Sequence, residues 1–220
     1  MAVKRLPLEI LQSYLLEVPP VWRRPQPSAE PQPLAWPLVF GNDRPVEIEV
    51  GFGKGLFLLT SSQARPDTNF LGIEIDRKYV LFTATRLAKR ELRNVRLVSA
   101  DARFFLHEQV APASVQAVHV FFPDPWWKQK HKKRRLFTAD FAAECLRVLQ
   151  VGGSLNVVSD VAEYFQQIAK ILDARPDLQP VPAERAFLSA GEDYLTNFER
   201  KYRQEGRPIH RASYVKRDAP

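Results

Sequence analysis

The chain has 220 residues, enough for one large domain or one domain with an arm. A hydrophobic share of 45% with 26% charged residues belongs to a folded globular protein and excludes a disordered or collagen-like chain. Thirty-two basic residues against 25 acidic ones leave a net charge of +7, of which residues 128–135 alone contribute +6. The excess is therefore a local patch, which suits a polyanionic partner better than a generally basic surface does. A lone cysteine, Cys145, excludes an intrachain disulfide and suits a reducing compartment. There is no run of about 18 apolar residues to span a membrane and no signal-peptide cleavage pattern. The expectation is a soluble cytoplasmic protein, with nothing to choose between monomer and homodimer.

Residues 1–45 hold nine of the 18 prolines. Leu8, Leu11, Leu15 and Leu16 have helical spacing and predict a short helix over 8–17, ended by Pro19 and Pro20. The region 1–38 reads as a proline-rich, loosely ordered arm, with Lys4, Arg5, Arg23 and Arg24 available to a substrate. From 39 to 220 the texture is that of one domain. Apolar strands are predicted at 46–50, 69–75, 95–99, 115–122 and 155–159. Helices are predicted between and after them, at 56–64, 77–92, 102–109, 138–150 and 161–172, and Gly152 and Gly153 read as a stop signal. Residues 198–204 read as a last strand. Strands alternating with helices at this spacing predict an α/β fold with a parallel sheet covered on both faces.

In such a sheet, ligands bind beyond the carboxyl ends of the strands. Glu49, Glu74, Asp101, Asp124 and Asp160 fall at or just past five successive strand ends. Each alone reads as a helix cap or loop acid; together they predict a shared site. Gly51, Gly53 and Gly55 give G-x-G-x-G, and Leu56 stands where a dinucleotide fingerprint needs its third glycine. Glu49 beside that turn would repel a pyrophosphate and suits a ligand with an ammonium group. Glu74 lies 23 residues beyond Gly51, the distance at which an acid takes ribose hydroxyls, and Asp101 is placed to read an adenine amino group. Ammonium, ribose and adenine together describe S-adenosylmethionine.

The fourth predicted strand delivers Phe121-Phe122-Pro123-Asp124-Pro125-Trp126-Trp127 and then the basic run: an acid, two indoles able to stack on a base, and a cationic strip. With Glu49-Val50-Gly51-Phe52-Gly53-Lys54-Gly55, Gly72-Ile73-Glu74-Ile75, His131-Lys132-Lys133-Arg134-Arg135-Leu136 and Thr196-Asn197-Phe198-Glu199, it resembles the bacterial tRNA (guanine-N7)-methyltransferase family. The resemblance runs from about residue 40 to 210. It implies a Rossmann-like methyltransferase fold, S-adenosylmethionine as donor, and guanine 46 of the tRNA variable loop as target.

By matching position it implies that Glu49, Glu74, Asp101 and Asp124 bind the donor, together with Gly51 and Gly53 of the turn. Asp124 corresponds to the catalytic aspartate, which holds the base and stabilises charge during an in-line displacement. Lys128, Asp160, Thr196, Asn197, Phe198 and Glu199 correspond to substrate-contacting positions. Lys130, His131, Lys132, Lys133, Arg134 and Arg135 correspond to the RNA-interacting segment. Trp127 departs from the family, which has proline or a small polar residue there. His119 and Cys145 read as core residues, and no metal is expected. Two other readings are a nicotinamide-dependent oxidoreductase, which the glycine spacing and Glu49 disfavour, and a non-catalytic RNA-binding module, against which the full set of spaced acids argues.

Overall fold

The computed structural model describes residues 6–18, 33–126, 129–183 and 196–218. Trp127, Lys128, and the arm cations Lys4, Arg5, Arg23 and Arg24 lie outside them. Among the described residues seven strands form one sheet: β1 (Val46–Val50), β2 (Asn69–Glu74), β3 (Val95–Ser99), β4 (Val115–Phe121), β5 (Leu149–Ser159), β6 (Leu178–Val181) and β7 (His210–Lys216). Their order is β3-β2-β1-β4-β5-β7-β6, parallel through β5, with β7 antiparallel to both of its neighbours.

The five predicted parallel strands are present because each carries apolar residues buried against both faces of the sheet. Helices α5 (Ala102–Gln109), α6 (Ala139–Val148) and α7 (Ala162–Asp173) cover one face, where Phe105, Phe141, Leu146, Tyr164 and Ile168 share a core with Ile48, Ile73 and Val120. Helices α3 (Leu56–Ala64) and α4 (Arg77–Ala88) cover the other with Phe57, Leu58, Val80 and Leu87 against Phe70, Leu97 and Phe121. A short α2 (Trp36–Phe40) anchors its start through the Trp36 indole N–H, which donates to the Ser114 carbonyl at 3.1 Å.

Four expectations are corrected. The predicted 8–17 helix is a single turn, α1 (Leu8–Leu11), followed by a 3-10 turn (Gln12–Tyr14). Leu15 then pairs with Leu97, and the Leu16 amide donates to the Leu97 carbonyl at 2.8 Å, so this segment covers the outer edge of β3. Gly152 and Gly153 do not follow a helix stop by a loop: β5 starts at Leu149 and runs through them, and Gly152 at φ 80° sits in the register shift against β4. The predicted 77–92 helix ends at Ala88. Residues 198–204 are not a strand but lie in helix α8 (Asn197–Gln204), because Thr196 caps it, its hydroxyl accepting from the Glu199 amide at 3.0 Å. Strands β6 and β7 were not expected from the sequence.

Candidate active site

The strand order reverses between β1 and β4, and the crevice beyond their carboxyl ends is the topological switch point. Because β1 to β5 are parallel, their five acids are brought to one rim: Glu49 within β1, Glu74 at the end of β2, and Asp101, Asp124 and Asp160 just past β3, β4 and β5.

The turn after β1 is held by its neighbours. Gly51, Gly53 and Gly55 all have positive φ, and at Gly55 a Cβ would lie 2.2 Å from Thr83 Cγ2, so alanine is excluded there. The Gly53 amide donates to Glu74 Oε2 at 2.9 Å, and the Asp76 amide to Glu74 Oε1 at 3.0 Å. Glu74 thus ties the end of β2 to the turn. Glu49 is 3% exposed and its Oε2 has no hydrogen-bond partner. Burial, reinforced by Glu74 and opposed by the backbone of Leu58, pushes its carboxyl well above the usual range. A buried carboxylate with an orphan oxygen is a site shaped for a cation. Asp101 caps α5, accepting from the Arg103 amide at 3.0 Å and pairing with the Arg103 side chain.

Beyond β4 the backbone is strained. Phe122 at φ 52° and Trp126 at φ 45° adopt the left-handed region that side chains disfavour, on either side of Asp124. Such conformations cost about 1–3 kcal/mol each and need support. Arg135 supplies part of it: its Nε donates to the Pro125 carbonyl at 2.7 Å, another N–H reaches Gln167 on α7, and it lies 4.7 Å over the Tyr164 ring. Asp124 itself is exposed.

The basic segment forms a 3-10 turn (Gln129–Arg134), with Lys130 and Arg134 exposed and His131 half-buried. Lys132 and Lys133 lie on the same turn. Arg135 differs from its neighbours: only 7% exposed, it is committed to the loop and Tyr164 and does not face outward as an RNA grip. Trp126 is covered by Arg134 at 5.2 Å and met edge-on by His131 at 5.8 Å, so its ring packs the basic turn.

Helix α8 lies across the same rim. The Phe198 ring approaches Gly53, 3.9 Å from where a Cβ would stand, and neighbours Phe122 at 6.3 Å. Glu199 is 1% exposed; its carboxylate pairs with Arg211 of β7 and also with Arg203, the latter at 2.6 Å. Asp160 pairs with Arg207 at 3.2 Å. Asn197, half-buried, follows the capping Thr196. Sequence reasoning missed Phe122, Tyr202, Arg207 and Arg211 here; the spacing of Phe198 and Tyr202 by four residues was a helical signal.

Residues 43–212 match the family model described as "Putative methyltransferase". A tRNA (guanine-N(7)-)-methyltransferase of Rhodopirellula baltica is 43% identical over 186 residues, covering 81% of this chain and 69% of that one. The chain belongs to the tRNA (guanine-N7)-methyltransferase family. Among solved structures, a 30S ribosomal A1408 methyltransferase from an uncultured bacterium matches with a TM-score of 0.54 at 12% identity, over 81% of this chain and 91% of that one. A SAM-dependent O-methyltransferase of Thermotoga maritima matches with a TM-score of 0.52 at 15% identity, over 83% and 63%. These two likenesses establish the Rossmann-like methyltransferase fold. S-adenosylmethionine, expected from the acid spacing, is the methyl donor of the family and the fold. Among the described residues, no helix is long and apolar enough to cross a membrane.

Proposed function

We propose that this methyltransferase acts on tRNA, placing the methyl group on N7 of guanine 46 in the variable loop to give 7-methylguanosine. The family assignment supports the reaction class. The observation that carries the reading is the pairing of strand ends: a buried, orphaned carboxylate on β1 and an exposed carboxylate on a strained loop after β4 flank one crevice.

The residues present fit the donor. Glu49 offers its unpartnered oxygen to an ammonium group, Glu74 stands where ribose hydroxyls are taken, and the cap at Asp101 borders the adenine side. When bound, S-adenosylmethionine supplies an electrophilic methyl group. Guanine N7 carries a lone pair and no proton, so the protein needs no strong base at the nucleophile. Its residues have to align the base, where orientation is worth roughly 7–11 kcal/mol. In this proposal Asp124 holds the base by its N–H groups and stabilises the positive charge that the purine gains on alkylation. Lys130 to Arg134 grip the phosphates, and Lys128, Asp160 and the stretch from Thr196 to Glu199 border the substrate. Asp160 and Glu199 do so while tied to arginines, so they shape the rim through Arg207, Arg203 and Arg211.

The test is incubation with labelled donor and unmodified tRNA, followed by nucleoside mass spectrometry and mapping of the modified position. 7-Methylguanosine at position 46 is expected. Its absence while both ligands bind would overturn the proposal, and methylation elsewhere in the tRNA would overturn the position.

A further inference from the structure

An aromatic column stands on the rim, and its inner members lie outside the substrate stretch implied by the resemblance. Phe198 is a large apolar side chain left 50% exposed beside the donor turn. Behind it Tyr202, one helical turn on, is stacked at 6.0 Å with an interplanar angle of 27°. Phe122, the strained residue before Pro123-Asp124, leans on both rings, at 6.3 Å and 5.6 Å. Arg207 lies 4.7 Å over Tyr202, and that guanidinium is itself fixed by Asp160 at 3.2 Å and Glu205 at 2.8 Å. The order is thus acid pair, guanidinium, phenol, phenyl, open space.

We propose that Tyr202, clamped by Arg207, is a positioning residue that holds Phe198 as the face on which the target purine stacks. The inference rests on the reading that the substrate is a guanine in RNA. A base leaving its own stack needs a π face beside the donor, and an aromatic surface is favoured as the purine becomes cationic. Trp126, one of the two indoles that the sequence suggests for this task, is occupied by Arg134 and His131, and the other, Trp127, lies outside the described residues. Phe198 alone would be a mobile ring on a helix flank. Backed by Tyr202 and touching Phe122, it is held in line with the loop that carries Asp124. Burial and the carboxylates of Asp160, Glu205 and Asp124, opposed by Arg207, push the Tyr202 phenol above its usual range, so it stays neutral beneath the base.

The test is steady-state methylation of unmodified tRNA by Tyr202→Phe, Tyr202→Leu and Tyr202→Ala, with donor binding measured by calorimetry. Phe keeps the ring, Leu keeps apolar bulk without it, and Ala keeps neither. The expected result is a near-native Phe variant and a tRNA KM raised about 5–10-fold for Leu and more for Ala, within the span of one base–aromatic stack. Donor Kd should stay within about twofold throughout. A Leu variant equal to the Phe variant would overturn the inference, because the residue would then act as packing only. Equal losses in tRNA KM and donor affinity would do the same. Should Ala fail to fold, the Phe and Leu pair decides alone. If the native enzyme makes no 7-methylguanosine the functional proposal fails and takes this one with it; native methylation with indifferent Tyr202 variants sinks this one only.

Discussion

Glu49 and Asp124 leave neighbouring strands on either side of the switch point, and their surroundings have little in common. On the β1–β3 side backbone amides hold the acids: Gly53 and Asp76 amides hold Glu74, and the Arg103 amide holds Asp101 with the Arg103 side chain paired beside it. Glu49 is sealed among them with an oxygen to spare. On the β4–β7 side, arginines hold the acids: Arg207 takes Asp160, Arg203 and Arg211 take Glu199, and Arg135 braces the loop of Asp124. Backbone contacts make a rigid cradle suited to a small ligand of fixed shape. Long guanidinium arms can re-pair when a polyanion arrives, which suits an RNA. The comparison teaches that, in the proposed function, one rim would serve two ligands by two means of fixing its carboxylates.

If that division is right, substitutions on the two sides should move different constants. Asp124→Ala should give the largest effect, lowering kcat for tRNA methylation by roughly 10²–10³-fold, the loss usual for one charge-stabilising group. Donor Kd, measured by calorimetry, should rise far less. A variant that loses donor binding in proportion to kcat would erase the distinction between the two sides.

Glu49→Gln should do the reverse, weakening the donor by about tenfold, in the range for loss of one charge-assisted contact, with kcat at saturating donor little changed. Its pH dependence follows from linkage. Burial raises the Glu49 pKa in the free protein, and a bound cation favours the ionised form, so binding releases a proton. Native affinity should therefore fall as pH drops below that raised pKa, and the Gln variant should show a flat profile. Without donor, ionised Glu49 opposes folding, its cost growing as pH rises through the raised pKa. The Gln variant should then melt slightly higher at neutral pH, and a lower melting temperature would show that Glu49 is paired.

A buried polar chain crosses the switch point from β1 through β4 to β5 and ties the two sides of the sheet together. Glu47 on β1 pairs with Arg65 at 2.6 Å and with His119 Nε2 on β4 at 3.0 Å, and the Asn156 side chain lies 3.2 Å from His119 Nδ1. If the Asn156 amide donates there, His119 Nε2–H donates to Glu47. Burial would raise the Glu47 carboxyl, but hydrogen bonds and charge from His119 and Arg65 outweigh it and lower the pKa from 4.5 to about 2. A depressed carboxylate pKa stabilises the fold above its unfolded value and ceases to do so as pH falls through the folded one. Melting temperature should thus decline between about pH 4.5 and 2 in the native protein. Glu47→Gln should melt lower at neutral pH by several degrees, with a shallower acid limb. A native acid limb no steeper than the variant's would remove Glu47 from the account.

The β1–β3 side was legible as structure because its signals are local. An apolar run, a G-x-G turn and an acid at each strand end can be read one element at a time, and the parallel topology brings them together. The other side depends on which way a charged residue turns. Arg134 and Arg135 are adjacent cations in one run, yet one is exposed and the other buried, and no spacing rule separates them. His119 reads correctly as a core residue, but its link to Glu47 crosses 72 positions and could not be read. Helix α8 was misread despite a usable signal. Thr196-x-x-Glu199 is a capping-box pattern, and the charges between Phe198 and Tyr202 masked their helical spacing. Strands β6 and β7 are short or half-exposed, with a proline in β6, so neither carries the apolar run that marks a buried strand.

The adjacent arginines also give the smallest and sharpest test. Arg134 is exposed beside Trp126, whereas Arg135 is spent on Pro125, Gln167 and Tyr164. A cation that meets a phosphate releases counterions, and removing it should reduce the slope of log affinity against log salt by about 0.7–0.9. Arg134→Ala should show that reduction with an unchanged melting temperature. Arg135→Ala should leave the salt slope alone but lower the melting temperature and kcat, because the Asp124 loop loses its brace. Filter binding of tRNA across a salt series, with melting curves on the same variants, separates the two. Identical slopes for both variants would mean that the run acts as one diffuse charge. Its division into an outward grip and an inward brace would then have no consequence for RNA binding.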